Sequence, residues 1–333
     1  MSDALLLRLQ EGLPLVSQPF AKLGEELGLS EETVLEQVQR WCQSGLIRRL
    51  GAIYDPRRIG LASVLIAFEE TKNHEENLIK SLVSHPGVTH CYRREVQSVG
   101  LAATWKTRVP SLWATFTAPA ARLENDLAAI QNACGNGILS FPVIRSFKIG
   151  VVLDPASGQA HSVATKKLVP TAPIVWDAVG LALRTRLEEG LPVVSRPFEN
   201  LAAELHSDES SLLERLKSWQ NAGALRRLAA VLDQARAGLS LGGMCVFQVP
   251  DANIEATGQR LAASNLVTHC YHRQSQPSFP FQMFAMVHAS DQTHLREQYE
   301  TLHSIVGHHG LLLCSTHQYK KSSLKPSLLE NRR

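Results

Sequence analysis

Internal repetition constrains this chain more than any other feature. Residues 12–20 read GLPLVSQPF and residues 190–198 read GLPVVSRPF. At the same offset Leu23 falls on Leu201, Glu26 on Glu204, Glu36 on Glu214, Trp41 on Trp219, and Gly45 on Gly223. Arg48-Arg49 falls on Arg226-Arg227, Asp55 on Asp233, and Gly60 on Gly238. Further on, VTHCYRR (88–94) returns as VTHCYHR (267–273) after a drift of one residue. A register held over such a span means that the chain is one structural unit written twice, so any fold assigned to the first half must also suit the second.

Each copy opens with three helical patterns. In copy one a helix is expected near residues 3–11. Pro19-Phe20 opens a second, with Phe20, Leu23 and Leu27 on one face and Gly28 ending it. Ser30 is suited to cap a third, with Thr33 at the N3 position. That helix has Val34, Leu35, Val38 and Trp41 as its buried stripe and Gly45 as its stop. Ser17 and Ser195, each in an S-x-P-F run, read as helix N-caps rather than nucleophiles. LIRRLGAIYD (46–55) alternates like a strand pair, which makes the whole a winged helix-turn-helix. The rest of the copy alternates strand and helix: strands at 61–70 and 88–95, a helix over 73–84, and AATWKTR (102–108) as the partner of 88–95. A helix over 119–133 and a closing strand over 138–150 complete a βαββαβ, ferredoxin-like order. The fold class is therefore α+β, a tandem duplication of winged helix-turn-helix plus ferredoxin-like domain. The expected boundaries are 1–60 and 61–153 for copy one, a linker over 154–173, 174–238 and 239–320 for copy two, and a frayed tail over 321–333.

Composition narrows the class. Of 333 residues, 44% are hydrophobic and 20% charged, with a formal net charge of +3, too small for a chain that lives on nucleic acid. No run of about 18 apolar residues predicts a membrane span, and the N-terminus lacks the pattern of a signal peptide. The six cysteines form no C-x-x-C pair, which fits reduced thiols in a cytoplasmic protein and gives no metal-site spacing. The expected protein-held metal is thus none. The helices that would enter a major groove, at 30–44 and 207–222, carry net charges of −2 and −1, with Glu31, Glu32, Asp208 and Glu209 at their N-termini. Acidic groups there repel phosphate, so specific DNA is not an expected partner.

A winged helix-turn-helix joined to such a plait resembles the Lrp/AsnC regulators. GLPLVSQPF, LIRRLGAIYD, VTHCYRR and VTHCYHRQSQPSFPFQMFAMVHA (267–289) resemble more closely a branch of them, the siroheme decarboxylases, in the fused two-copy form of heme d1 biosynthesis. That resemblance implies loss of CO2 from acetate side chains of siroheme to give didecarboxysiroheme. The alternative it leaves is an Lrp/AsnC-type DNA-binding regulator. Pro280-Phe281-Gln282-Met283-Phe284 stands where the family has P-Y-N-L-F or -W. Copy one, aligned at Gly100–Trp105, keeps little of that stretch, which marks copy two as the working half.

Such chemistry needs a carboxylate held, an electron sink and a proton. The macrocycle can be the sink, so no resident cofactor is expected, and the iron arrives with the substrate. Arginine holds carboxylates, and histidine or tyrosine supplies the proton. Eight of the thirteen histidines lie at or after His269. Strand alternation puts His269, Tyr271 and Arg273 on one face, with Cys270 and His272 on the other. His269, Tyr271 and His317 are the candidate catalytic residues. Candidate substrate-binding residues are Arg273, Arg226, Arg227, Phe281, Gln282, His90, Tyr92, Arg94, Arg48 and Arg49. The competing readings are a solvated edge strand for 267–273, a relic or a wall of a shared pocket for His90, Tyr92 and Arg94, and a solvated wing for the arginine pairs. The two copies are expected to form a pseudo-dimer within the chain, leaving open a homodimer or a paralogous subunit.

Overall fold

In a computed structural model, the described residues are 2–68, 75–97, 109–134, 137–149, 151–154, 160–162, 174 and 176–330. Copy one begins with helices α1 (Ser2–Glu11), α2 (Pro19–Leu27) and α3 (Glu31–Gln43) and strand β1 (Ile47–Tyr54). It continues through β2 (Leu61–Phe68), α4 (Glu75–Ser84), β3 (Val88–Gln97), β4 (Leu112–Pro119), α5 (Leu123–Cys134) and β5 (Ile138–Lys148). Short strands β6 (Val151–Leu153) and β7 (Ala160–Ser162) pair with each other, β7 lying within the segment expected to be a plain linker. Copy two repeats the plan as α6 (Ala178–Glu189), α7 (Pro197–Glu204), α8 (Glu209–Asn221), β8 (Leu225–Leu232) and β9 (Leu241–Phe247). It ends with α9 (Ile254–Ala263), β10 (His269–Arg273), β11 (Met283–Ala289), α10 (Gln292–Val306), β12 (Gly310–Lys321) and a short α11 (Ser327–Glu330).

The helix signals act as expected from local chemistry. Pro19 starts α2 where its missing N–H costs nothing, and Gly28 ends it at φ 68°, a left-handed conformation favouring glycine. The Ser30 hydroxyl accepts the Thr33 N–H, and Val34, Val38 and Trp41 face the core. Ser17 and Ser195 are not caps. Their hydroxyls cross the pseudo-twofold instead, Ser17 to Glu209 at 2.7 Å and Ser195 to Glu31 at 2.9 Å. The N-termini of α3 and α8 are thereby tied to the opposite copy.

The expected hairpin wing does not form within either copy. Residues 47–54 make one strand, and its partner is its own repeat: β1 runs antiparallel to β8, with Gly51 opposite Ala229. A Cβ at Gly51 would lie 2.9 Å from the Leu187 carbonyl oxygen, so glycine lets the ribbon pass close beneath α6. The two helical domains share one apolar core across this ribbon, including Phe20, Leu50, Phe198 and Leu228.

The strand paired with β3 is β4, at residues 112–119; the segment 102–108 expected there lies outside the described residues. Each copy then has the plait order, β5-β2-β4-β3 and β12-β9-β11-β10. The edges pair across copies, β3 with β12 and β10 with β5, closing an eight-stranded barrel that leaves no free edge. The outer faces carry the plait helices over two separate cores. Inside, Trp113, Phe141, Phe279, Phe281, Phe284, Leu311 and Leu313 fill one end.

The C-terminal stretch is docked rather than frayed as far as residue 330. Leu329 is buried in the helical core, and Ser327 donates through its hydroxyl and N–H to Glu188. Among the described residues no helix is long and apolar enough to cross a membrane.

Candidate active site

The barrel interior changes character along its axis. On β11, Phe284 belongs to the apolar plug, and Met286 and His288 follow on the same inner face. On β10 the inner face carries His269, Tyr271 and Arg273, and on β3 it carries His90, Tyr92 and Arg94. The end away from the plug is therefore polar and meets the β1–β8 ribbon.

The two halves have matching geometry. The His269 ring lies 6.2 Å from that of Tyr271 at 21°, and the Arg273 guanidinium carbon sits 4.7 Å over the Tyr271 ring. In copy one His90 and Tyr92 are 6.1 Å apart at 28°, with Arg94 5.2 Å over Tyr92. Each arginine is anchored in the other copy, Arg273 donating to the Phe141 carbonyl at 2.8 Å and Arg94 to the Leu313 carbonyl at 3.4 Å. His269, Tyr271, His90 and Tyr92 lie deep in the fold yet keep part of their surface uncovered, as side chains lining a crevice do.

The copy-one half is not degenerate. Trp113 of β4 stands opposite Tyr92 as Phe284 of β11 stands opposite Tyr271, so the counterpart of the Phe281–Phe284 stretch is Pro110–Trp113. An alignment at residues 100–105, which lie outside the described residues, misplaced it.

The ribbon divides the arginine pairs by strand alternation. Arg48 acts on His90 and Tyr92, and Arg226 on His269 and Tyr271. Arg226 is steadied by Asp55 at 3.0 Å. Arg49 points the other way and donates to the carbonyls of Leu187, Glu188 and Ala52, so it braces the ribbon rather than reaching the crevice. Arg227 is its positional twin; burial pushes its guanidinium down to about 10.

Three further expectations are corrected. His317 is exposed, its ring tilted against that of Tyr319 with centroids 4.4 Å apart. Irregularities in β12 after Ser315 and after Gln318 turn His317 to the helix side with Arg93, and bring Lys321 opposite His90. Phe281 is fully buried in the plug against Phe279, and the Gln282 side-chain oxygen accepts the Val249 N–H at 3.2 Å. Both shape the loop before β11 rather than the crevice.

Alternation along β11 could have revealed His288. Nothing in the sequence marks Lys321, because the irregularities place it. His288 and the two strand histidines sit among cations. Burial, and then the fields of Lys321, Arg48, His269 and Arg94, push His90 down to about 4. Burial, with Arg226, Arg273, Arg227 and Lys148, does the same for His269, also to about 4. Burial, with His269, Lys321 and Arg94, brings His288 to about 3. His269 acts on both His90 and His288, so the polar faces of the two halves lie close together within the barrel, and the space they face is called the chamber below.

A pH dependence follows. These imidazoles are neutral in the folded, unliganded protein, whereas unfolded histidine binds a proton below about pH 6.5. The unfolded state therefore takes up more protons between pH 6.5 and 4, and stability falls as the pH drops through that window. Thermal melts of the unliganded protein should show this fall. A polyanion in the chamber offsets the cationic field and should blunt it.

Comparison with known proteins places this geometry. The AsnC-like ligand binding domain profile matches residues 58–148 and 236–320, and the siroheme decarboxylase NirDL-like HTH domain profile matches 2–48 and 183–226. The siroheme decarboxylase of Hydrogenobacter thermophilus is 31% identical, covering 97% of this chain and 94% of its own. The chain belongs to the siroheme decarboxylase family. Within that family, the siroheme decarboxylase NirDL subunit of Paracoccus denitrificans is 32% identical over 86% of this chain and 85% of its own. The crystal structure of the siroheme decarboxylase NirDL superposes with a TM-score of 0.73 at 27% identity, covering 97% of this chain and 93% of that one. A co-complex of NirDL with an iron-uroporphyrin III analogue gives 0.72 at 26% identity, covering 98% and 94%.

Proposed function

We propose that this chain is a siroheme decarboxylase that releases CO2 from acetate side chains of siroheme without oxidation, giving didecarboxysiroheme. The carrying observation is the chamber, where five cations converge on three neutral histidines: Arg48, Arg94, Arg226, Arg273 and Lys321 around His90, His269 and His288. Cations so placed suit a ligand bearing many carboxylates. Asp55, a carboxylate at this mouth, is paired with Arg57 and Arg226 and does not oppose such a ligand.

The reaction needs little beyond this. As the carbon–carbon bond to the carboxylate breaks, its electron pair stays on the methylene carbon and spreads into the macrocycle. A protonated imidazole then delivers the proton that makes the methyl group. Because the macrocycle is the electron sink, the protein requires no resident cofactor, and the iron comes with the substrate. His269, with Tyr271 beside it, is the proton donor, and Arg273 holds a carboxylate. The substrate's charge counters the cationic field, so the acid is loaded when substrate binds.

The partner is siroheme, and the pseudo-dimer is internal because the barrel closes within one chain. Ser17 and Ser195 hold the acidic N-termini of α8 and α3, which supports a helix-turn-helix that does not read DNA.

Anaerobic incubation with siroheme, followed by mass measurement of the extracted tetrapyrrole, should show loss of CO2; unaltered siroheme would refute the reading. Binding alone should shift the siroheme absorption spectrum. At about 100 times Kd it should stabilise the fold by about 2.7 kcal/mol, readable as a raised melting temperature.

A further inference from the structure

Among the inner-face positions at which the copies differ is one coupled pair. In copy one Ser63 of β2 pairs with Thr117 of β4, and their hydroxyls bond at 2.7 Å. The corresponding positions in copy two are Gly242 of β9 and His288 of β11, also register partners. Gly242 has no side chain to fill the space before His288. A Cβ built there would meet Ser315 Oγ at 3.6 Å, His288 Cδ2 at 3.9 Å and His288 Nε2 at 4.0 Å, all ordinary contacts. The exchange therefore leaves room beside a histidine where copy one has a closed pair of hydroxyls.

His288 is also held in register with His269. The Thr268 hydroxyl donates to the Met286 carbonyl at 3.0 Å. It lies 3.3 Å from His269 Nδ1 and 3.4 Å from His288 Nδ1. A hydroxyl has one hydrogen and two lone pairs, so with its hydrogen on Met286 it accepts from both rings. Both neutral imidazoles then carry their proton on Nδ1, and both Nε2 atoms are turned away from the threonine as bases. His288 lies within the fields of Lys321 and Arg94, which belong to the copy-one half of the chamber.

We propose that His288 is a second proton-delivering imidazole of the chamber, clamped beside His269 by Thr268, and that it protonates one of the two carbons from which CO2 departs. This rests on the decarboxylase reading above. Each CO2 lost leaves an electron pair on a methylene carbon and consumes one proton. One imidazolium supplies one such proton and becomes neutral. Two imidazoles facing one chamber let both losses proceed during a single binding event, without opening to water between them. Each imidazole takes up its proton from solvent as the polyanionic substrate binds, and is left neutral when product leaves. No electron enters or leaves the system.

The test is single-turnover decarboxylation of siroheme, with product masses followed in time and repeated across pH. Wild type should lose two CO2. If it loses none, the decarboxylase reading fails, and this inference fails with it for that separate reason. His288→Gln should lose the first CO2 near the wild-type rate and slow the second by about 10²-fold, the scale of an acid–base group. The mono-decarboxylated product should then accumulate. The double variant G242S/H288T installs the copy-one pair and should behave in the same way, which guards against a folding defect in the single variant. Thr268→Ser, which keeps the hydroxyl, should retain the second step, whereas Thr268→Val should slow it and shift its pH profile. Siroheme affinity should stay within a few fold throughout. Loss of both CO2 at the wild-type rate in both His288 variants would overturn the proposal. So would equal slowing of both steps, which would mark His288 as a binding or folding residue.

Discussion

His269→Ala should lower overall turnover by about 10²-fold or more while siroheme still binds with its spectral shift, because the substitution removes an acid but little of the charged surface. Arg273→Ala should do the opposite, weakening binding more than turnover, since a carboxylate held in both ground and transition states contributes mainly to affinity. His90→Ala should cost less than His269→Ala. The copy-one half keeps its histidine, tyrosine and arginine, but Thr117 stands where copy two places His288 beside His269. Steady-state kinetics with binding titrations on the three variants would check this. Abolished activity in His90→Ala with retention in His269→Ala would transfer the working role to copy one.

Glu188→Ala should destabilise the fold by about 3–5 kcal/mol, the usual cost of breaking a buried ion pair from one side. Arg184 and Glu188 are 1% and 2% exposed and lie 3.6 Å apart on consecutive turns of α6. The Arg184 guanidinium also sits 4.7 Å over the Trp176 ring, and Glu188 accepts the Ser327 N–H and hydroxyl. Removing the carboxylate leaves the guanidinium buried and frees the C-terminal stretch. Replacing both charges with apolar residues of similar size should cost far less, because no uncompensated charge remains. Urea unfolding of both variants would separate these outcomes; equal losses would mean that packing, not charge, sets the cost.

Local signals were enough for much of this fold. The 178-residue repeat, the Ser30 cap, the glycine stops and the period-two strands are set by interactions within a few residues, so duplication, helix-turn-helix and plait were all legible. The inner face of His269, Tyr271 and Arg273 was legible for the same reason, as alternation fixes which side chains share a side. What the chain could not show alone was pairing between distant segments. Whether 46–55 folds back as a hairpin or meets its own repeat depends on how the two helical cores dock, and the structure chose the repeat. Barrel closure likewise decided which residues share the chamber. It turned His317 outward through the irregularities of β12, brought Lys321 in, and directed Arg49 to the carbonyls of α6. The sequence by itself determined the repeated unit and the chemistry of each strand face, since those follow from local periodicity. Only the tertiary structure decided that two faces from different copies close around one basic chamber, because that depends on edge strands far apart in the chain, β3 with β12 and β5 with β10, finding each other.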